Sequence, residues 1–220
     1  MIEGLDGSGK ATQSKILYEK LLDLKYDTRH LSYPCYNSDS SALVKMYLNG
    51  ELSQDLNDIN AYAASAFYAV DRCADFIKNK DLYKSSILIS DRYVTSNMIY
   101  QAAKLPDCDK DYFLNWLSDF EYDKLGITRP DLVIYLDVDV NISQKLMSAR
   151  YKNDDSKKDI HERNVNYLKS CHEAALYISE KYNWNVIKCD DGRNLRSIND
   201  ISNDIFNIVS DFLKEGDLII

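Results

Sequence analysis

Hydrophobic and polar positions along this chain alternate between two periods. Short apolar or β-branched runs at Ile2–Leu5, Thr28–Tyr33, Ser86–Ser90, Leu132–Val138 and Trp184–Cys189 predict five strands. Leu132-Val133-Ile134-Tyr135-Leu136 is apolar throughout, as expected of a strand buried on both faces of a parallel sheet. The intervening stretches predict helices over Lys10–Lys25, Ser40–Leu48, Ile59–Lys78, Thr95–Leu105, Asp109–Leu125, Asn141–Arg150, Ile160–Tyr182 and Leu195–Leu213. In the first of these, Ile16, Leu17, Leu21 and Leu24 recur at helical spacing. Strands alternating with helices imply βαβ units and an α/β, doubly wound sheet. Ligands of such sheets bind at the carboxyl ends of the strands. Few residues precede the first loop, so the first strand is expected either to be short or to begin ahead of residue 1.

Composition narrows the class. The 220 residues suit one domain, here taken as 1–220, and 45% hydrophobic with 28% charged residues is the profile of a soluble globular protein. No apolar run approaches the ~20 residues that span a bilayer. Met1-Ile2-Glu3 carries no signal-peptide pattern, so no membrane partner and a cytoplasmic location are expected. A net charge of −8 argues against a nonspecific nucleic-acid binder. The cysteines, Cys35, Cys73, Cys108, Cys171 and Cys189, form no C-x-x-C pair, which speaks for reduced thiols rather than zinc or redox chemistry. Tyr151–Lys158 is polar and highly charged, either a solvated loop or a lid over a nucleotide.

The chemistry begins at Gly4-Leu5-Asp6-Gly7-Ser8-Gly9-Lys10, which fits G-x-x-x-x-G-K between a predicted strand and a predicted helix. Glycines let backbone N–H groups converge on phosphate oxygens, the helix N-terminus adds partial positive charge, and Lys10 is suited to reach the β- and γ-phosphates. The motif wants Ser or Thr after the lysine to ligate Mg²⁺, but this chain has Ala11. Thr12 follows, turned about 100° around the helix, and does not simply replace the hydroxyl. Mg²⁺ takes few protein ligands, so Asp6 and Asp91 are the candidates to hold it through water.

Glu3-Gly4-Leu5-Asp6-Gly7-Ser8-Gly9-Lys10, then Asp71-Arg72, Asp91-Arg92-Tyr93, Pro130-Asp131 and Leu136-Asp137-Val138 resemble the thymidylate kinases in order and spacing. The resemblance implies a P-loop NTPase three-layer fold, a five-stranded parallel sheet flanked by helices, with a lid at about 150–162. It implies transfer of the γ-phosphoryl of ATP to dTMP, with Mg²⁺, in a homodimer. It puts Lys10, Arg92, Asp6 and Asp91 in catalysis, and Gly4, Asp6, Gly7, Ser8, Gly9, Lys10, Ala11, Thr12 and Arg150 at ATP. For dTMP it implies Asp6, Tyr33, Tyr68, Arg72, Arg92, Ser96, Asn97, Tyr100 and Glu162. Within that set, Tyr68 stacks on thymine, Arg72 and Asn97 read the base, Arg92 clamps the phosphate and Tyr100 lies beside the sugar. Arg150 opens the lid and packs on adenine; Glu162 is a lid carboxylate.

Two positions depart from the pattern. Ala11 is one. The other is Cys35 in Tyr33-Pro34-Cys35-Tyr36, where many relatives carry an arginine near the proline; losing a charge-assisted hydrogen bond of roughly 1.5–3 kcal/mol there would weaken dTMP binding or transition-state support about 10- to 150-fold. Plainer readings stand beside these roles. Asp71-Arg72 and Asp91-Arg92 read as surface ion pairs if taken alone, Tyr68 and Tyr100 as packing, His161 as an exposed residue, and His30 and His172 carry no ligand pattern. The competing functions are another P-loop kinase of a nucleotide or nucleoside, and a nucleotide-binding protein with little catalysis.

Overall fold

The computed structural model describes residues 1–55, 58–150, 161–162 and 164–216. Five strands form one parallel sheet: β1 (Ile2–Gly4), β2 (Thr28–Ser32), β3 (Ile87–Asp91), β4 (Ile134–Asp137) and β5 (Asn185–Lys188). Their order is β2-β3-β1-β4-β5, so the chain winds both ways from β1. Register places Ile2, Glu3 and Gly4 beside Ile134, Tyr135 and Leu136. β1 is three residues long and lies at the centre of the sheet.

Eight α-helices occur among the described residues: α1 (Lys10–Asp23), α2 (Ala42–Leu48), α3 (Ala61–Lys84), α4 (Val94–Ala102), α5 (Asp107–Ser118), α6 (Val140–Arg150), α7 (Val165–Lys181) and α8 (Ile198–Glu215). Alternate residues of β4 feed two cores, the requirement of a strand covered on both faces. Ile134 and Leu136 pack with Leu17, Leu21, Ile201 and Ile205 of α1 and α8. Tyr135 packs in the other core, with α3, α4, α5 and α7. The result is the three-layer α/β arrangement expected from the sequence.

Several boundaries move. The segment predicted as a helix from Ser40 opens as a 3₁₀ turn, Asp39–Ser41, because Ser38 turns back to cap it and accepts from Ser40 N–H. α3 runs on to Lys84, past the predicted end at Lys78, and starts where Asn60 accepts from Ala63 N–H at 2.9 Å. The helix predicted over Asp109–Leu125 stays α-helical only to Ser118 and closes as a π-helical turn, Asp119–Lys124. The helix predicted from Ile160 begins at Val165, where the Asn164 side chain caps Tyr167 N–H at 3.0 Å. The lid reading at about 150–162 falls largely outside the described residues, as does the side chain of Arg150, the last residue of α6.

Candidate active site

β1 ends at Gly4 and the chain turns through Leu5–Gly9 into α1. A Cβ at Gly4 would collide with the Ser8 Oγ and crowd the Leu136 carbonyl at 3.1 Å, which favours glycine there. Gly7 combines φ +82 with a virtual Cβ contact of 2.5 Å to the Ser143 carbonyl, so both backbone freedom and space exclude a side chain. α1 starts with no side-chain cap and no acid in its first turn, leaving its N–H groups and dipole for an anion. Ala11 and Thr12 are both exposed in that turn.

Asp6 lies in this loop and collects three donors. Lys10 Nζ reaches its Oδ1 at 3.3 Å, Tyr100 Oη donates to Oδ2 at 2.9 Å, and the Arg92 guanidinium donates to Oδ1. Burial alone would raise the Asp6 carboxyl; the charges of Arg92 and Lys10 outweigh it and hold the group well below the usual carboxylate range. Arg92 follows β3 with φ 65, an unusual backbone for a non-glycine residue, and its guanidinium lies 5.1 Å from the Tyr100 ring centre. Asp91, the last residue of β3, is buried, and its Oδ1 has no hydrogen-bond partner among the described residues. The Ser8 Oγ is likewise buried and without a hydrogen-bond partner among the described residues.

Beside Asp6 opens a cavity of about 490 Å³, counted with its mouth. It is lined by Asp6, Tyr33, Tyr68, Arg72, Arg92, Ser96, Asn97 and Tyr100, together with Pro34, Tyr36, Leu48, Gln101 and His161. Eight of the nine residues expected at dTMP thus meet in one concavity; Glu162 is buried but is not in this lining. The helical repeat explains part of the convergence. Tyr68 and Arg72 are four apart on α3, and Ser96, Asn97 and Tyr100 lie one turn apart on α4.

The plainer readings of the two Asp-Arg pairs are overturned. Arg72 is only 2% exposed and forms a two-pronged ion pair with buried Glu121, at 2.8 and 2.7 Å. Burial works against its charge, but Glu121 more than compensates and raises its pKa. Asp71, its neighbour, holds the loop after β2 by accepting from Cys35 N–H at 2.7 Å and Ser40 Oγ at 2.6 Å. Burial pushes the Cys35 thiol up to about 12, which suits an inert substitution rather than a nucleophile.

Ser96 lines the cavity, and its hydroxyl, with that of Thr95, donates to the fully buried Glu3 carboxylate, at 2.8 and 2.6 Å. Burial pushes the Glu3 carboxyl up, against those hydrogen bonds. Tyr33 donates its hydroxyl to Asp75 at 2.5 Å while its side chain lines the cavity.

His161 corrects a second reading. It is buried, 4% exposed, not an exposed loop residue. Its ring stacks on Tyr100 at 5.8 Å and meets Tyr47 and Tyr167 edge-on at 5.3 Å. Lys104 donates to the Tyr47 Oη at 2.8 Å, and the same hydroxyl is hydrogen-bonded to His161 Nε2 at 2.9 Å. Burial and the Lys104 charge take the imidazole down to about 3. Nothing in the lone His of a charged stretch signals this packing.

A phosphate-binding loop beside a cavity lined by two arginines and several aromatic rings defines a P-loop kinase acting on a small phosphorylated acceptor. A sequence model of the family described as "Thymidylate kinase" matches residues 2–203. The chain is 31% identical over 214 residues to a "Probable thymidylate kinase" of Thermococcus onnurineus, covering 95% of each chain. It is 30% identical over 220 residues to that of Thermococcus gammatolerans, covering 98% of this chain and 97% of the relative. It is 28% identical over 211 residues to the "Thymidylate kinase" of Plasmodium falciparum, covering 96% and 88%. The chain belongs to the thymidylate kinase family, the enzymes that phosphorylate dTMP at the expense of ATP. No helix among the described residues is long and apolar enough to cross a membrane.

Proposed function

We propose that this chain transfers the γ-phosphoryl of ATP to dTMP, with the P-loop holding ATP and the Asp6-lined cavity holding dTMP. The observation that carries this is the position of Asp6, which belongs to the phosphate loop and also lines the acceptor cavity. Gly4, Gly7, Ser8, Gly9, Lys10, Ala11 and Thr12 form the ATP phosphate cradle. Arg92 takes the acceptor phosphate, Tyr68 stacks on the base, and Arg72 and Asn97 read its edge. Tyr33, Ser96 and Tyr100 wall the sugar and phosphate region, and Glu162 and Arg150 act from the lid. Phosphoryl transfer of this kind rests on positioning and charge neutralisation, and no covalent nucleophile is required.

Lys10 and Arg92 both pair with the Asp6 carboxylate. Substrate phosphates compete for these cations and free the Asp6 carboxylate as they bind. Mg²⁺ fits Asp91, whose buried Oδ1 lacks a partner, with Asp6 as the second carboxylate, both through water. The ion supplies charge neutralisation at the β- and γ-phosphate oxygens. Ala11 leaves that task to the carboxylates.

A homodimer is part of the proposal, supported by the exposed apolar Val70 and Ile77 on α3; light scattering checks it. A cytoplasmic location is proposed from the five unpaired cysteines. The experiment for the reaction is ADP release from ATP-Mg²⁺ with dTMP, dUMP, dCMP, dGMP, UMP, AMP and thymidine offered separately. dTMP is expected to lead; a different leading acceptor removes the pocket assignment, and binding without turnover identifies a weakened member of the family.

A further inference from the structure

The arginine and the asparagine that line the acceptor cavity are held by one residue behind them. Glu121 lies in the π-helical turn after α5 and is fully buried. A π-helical turn shifts the face that an α-helical continuation would present, and such turns recur at functional sites. The Glu121 carboxylate accepts from Arg72 Nε at 2.8 Å and Nη2 at 2.7 Å, and from Asn97 Nδ2 at 2.8 Å. Asn97 Nδ2 also donates to the Ser65 carbonyl at 3.1 Å.

Both amide hydrogens of Asn97 are therefore spent on the protein. Its Oδ1 has no hydrogen-bond partner among the described residues, and the side chain lines the cavity. Turning the amide over would set that oxygen against two acceptors, the Ser65 carbonyl and Glu121. The carboxylate thus fixes Asn97 as an acceptor toward the cavity. Arg72, gripped at Nε and Nη2, keeps Nη1 for the cavity, and an arginine can only donate.

A donor beside an acceptor matches a base edge that carries a carbonyl next to a ring N–H. Thymine and uracil present that edge, as does guanine; cytosine presents the inverse, an amino group next to an unprotonated ring nitrogen. We propose that Glu121 is a positioning residue that sets base selectivity, fixing Arg72 as donor and Asn97 as acceptor in favour of a keto over an amino pyrimidine. This rests on the assignment of the cavity to dTMP.

The test is kcat/KM for dTMP, dUMP and dCMP in the unmodified enzyme, Glu121→Gln and Glu121→Asp, with the KM for ATP and a thermal melt alongside. A glutamine offers only one acceptor atom to Arg72 and Asn97, so the Asn97 amide is released to turn. The dTMP-over-dCMP ratio is expected to fall roughly tenfold or more in Glu121→Gln, with the loss in the acceptor KM. The KM for ATP and the dTMP-over-dUMP ratio, which turns on the 5-methyl group alone, should not move. Glu121→Asp keeps the charge but shortens the reach, and it carries the same readout where the glutamine variant melts below assay temperature. A folded variant that keeps the ratio, or slows equally on dTMP and dCMP, overturns the positioning role and leaves dTMP activity standing. Loss of fold in both variants assigns Glu121 to the scaffold and overturns it too. An unmodified enzyme that uses dCMP as well as dTMP instead overturns the acceptor assignment.

Discussion

The Arg92 guanidinium and the Asp6 carboxylate form an ion pair that ties the turn after β3 to the phosphate loop after β1. Lys10 sits on the same carboxylate oxygen. One anion therefore holds both cations suited to the two substrates, and each phosphate that binds replaces part of an existing interaction.

Arg92→Ala should raise the KM for dTMP by about 10- to 150-fold, the worth of a charge-assisted hydrogen bond, and leave the KM for ATP nearly unchanged. Lys10→Ala should instead depress kcat by about 100-fold or more with either acceptor concentration saturating, in a protein whose melting temperature is preserved. Steady-state kinetics separate the two patterns. Full activity in the lysine variant would remove the phosphate-loop assignment.

Asp91→Asn tests the metal reading. The buried Oδ1 of Asp91 lacks a protein partner, and an amide of the same size is a weaker partner for a hydrated cation. The Mg²⁺ concentration giving half-maximal rate should rise about tenfold, while dTMP binding measured without metal stays the same. An unchanged Mg²⁺ titration would leave Asp91 without that role.

Tyr135 offers a stability test away from the substrates. It is fully buried on β4 opposite Glu3 of β1, and its hydroxyl has no hydrogen-bond partner among the described residues. A buried unsatisfied hydroxyl costs about 1–3 kcal/mol. Tyr135→Phe keeps the ring and deletes that cost, so it should melt at the same or a higher temperature with normal kinetics. A clear drop in melting temperature would mean that the hydroxyl is satisfied in solution.

The strands were legible because a parallel sheet covered on both faces demands continuous apolar runs, and Leu132–Leu136 supplies one. The convergence of Tyr68, Arg72, Arg92, Asn97 and Tyr100 on one cavity was legible through ordered motifs. Glu121 was not, because a glutamate in an amphipathic helix reads as a solvent-facing residue. Only the π-helical turn brings it to 0% exposure, and no local pattern announces that turn. The bond from the Ser96 hydroxyl to Glu3 was not legible either, because the two residues are 93 apart in sequence. Register between β1 and its neighbours, not periodicity, creates that contact.

His161 links the acceptor cavity to acid stability. Lys104 donates to Tyr47, whose hydroxyl lies 2.9 Å from His161 Nε2. Protonation would place a second cation next to the Lys104 ammonium inside a cage of aromatic rings. Asp6 pulls the other way, Arg92 works with Lys104, and burial dominates, leaving the folded group at about 3 against 6.5 for a free histidine. Between those values the unfolded chain binds the proton and the folded chain does not. The stabilisation is therefore complete above pH 6.5 and is lost as pH falls toward 3, at up to about 1.4 kcal/mol per pH unit. His161→Asn keeps a hydrogen-bonding partner for Tyr47 and removes the titration. The difference in unfolding free energy between the two proteins, measured by denaturant titration from pH 7 to 4.5, isolates this group from His30 and the carboxylates. The unmodified protein should lose stability faster than the variant across that range. Parallel curves would show that His161 is accessible to protons in the folded state, and the buried Tyr47–His161 contact would then not persist in solution.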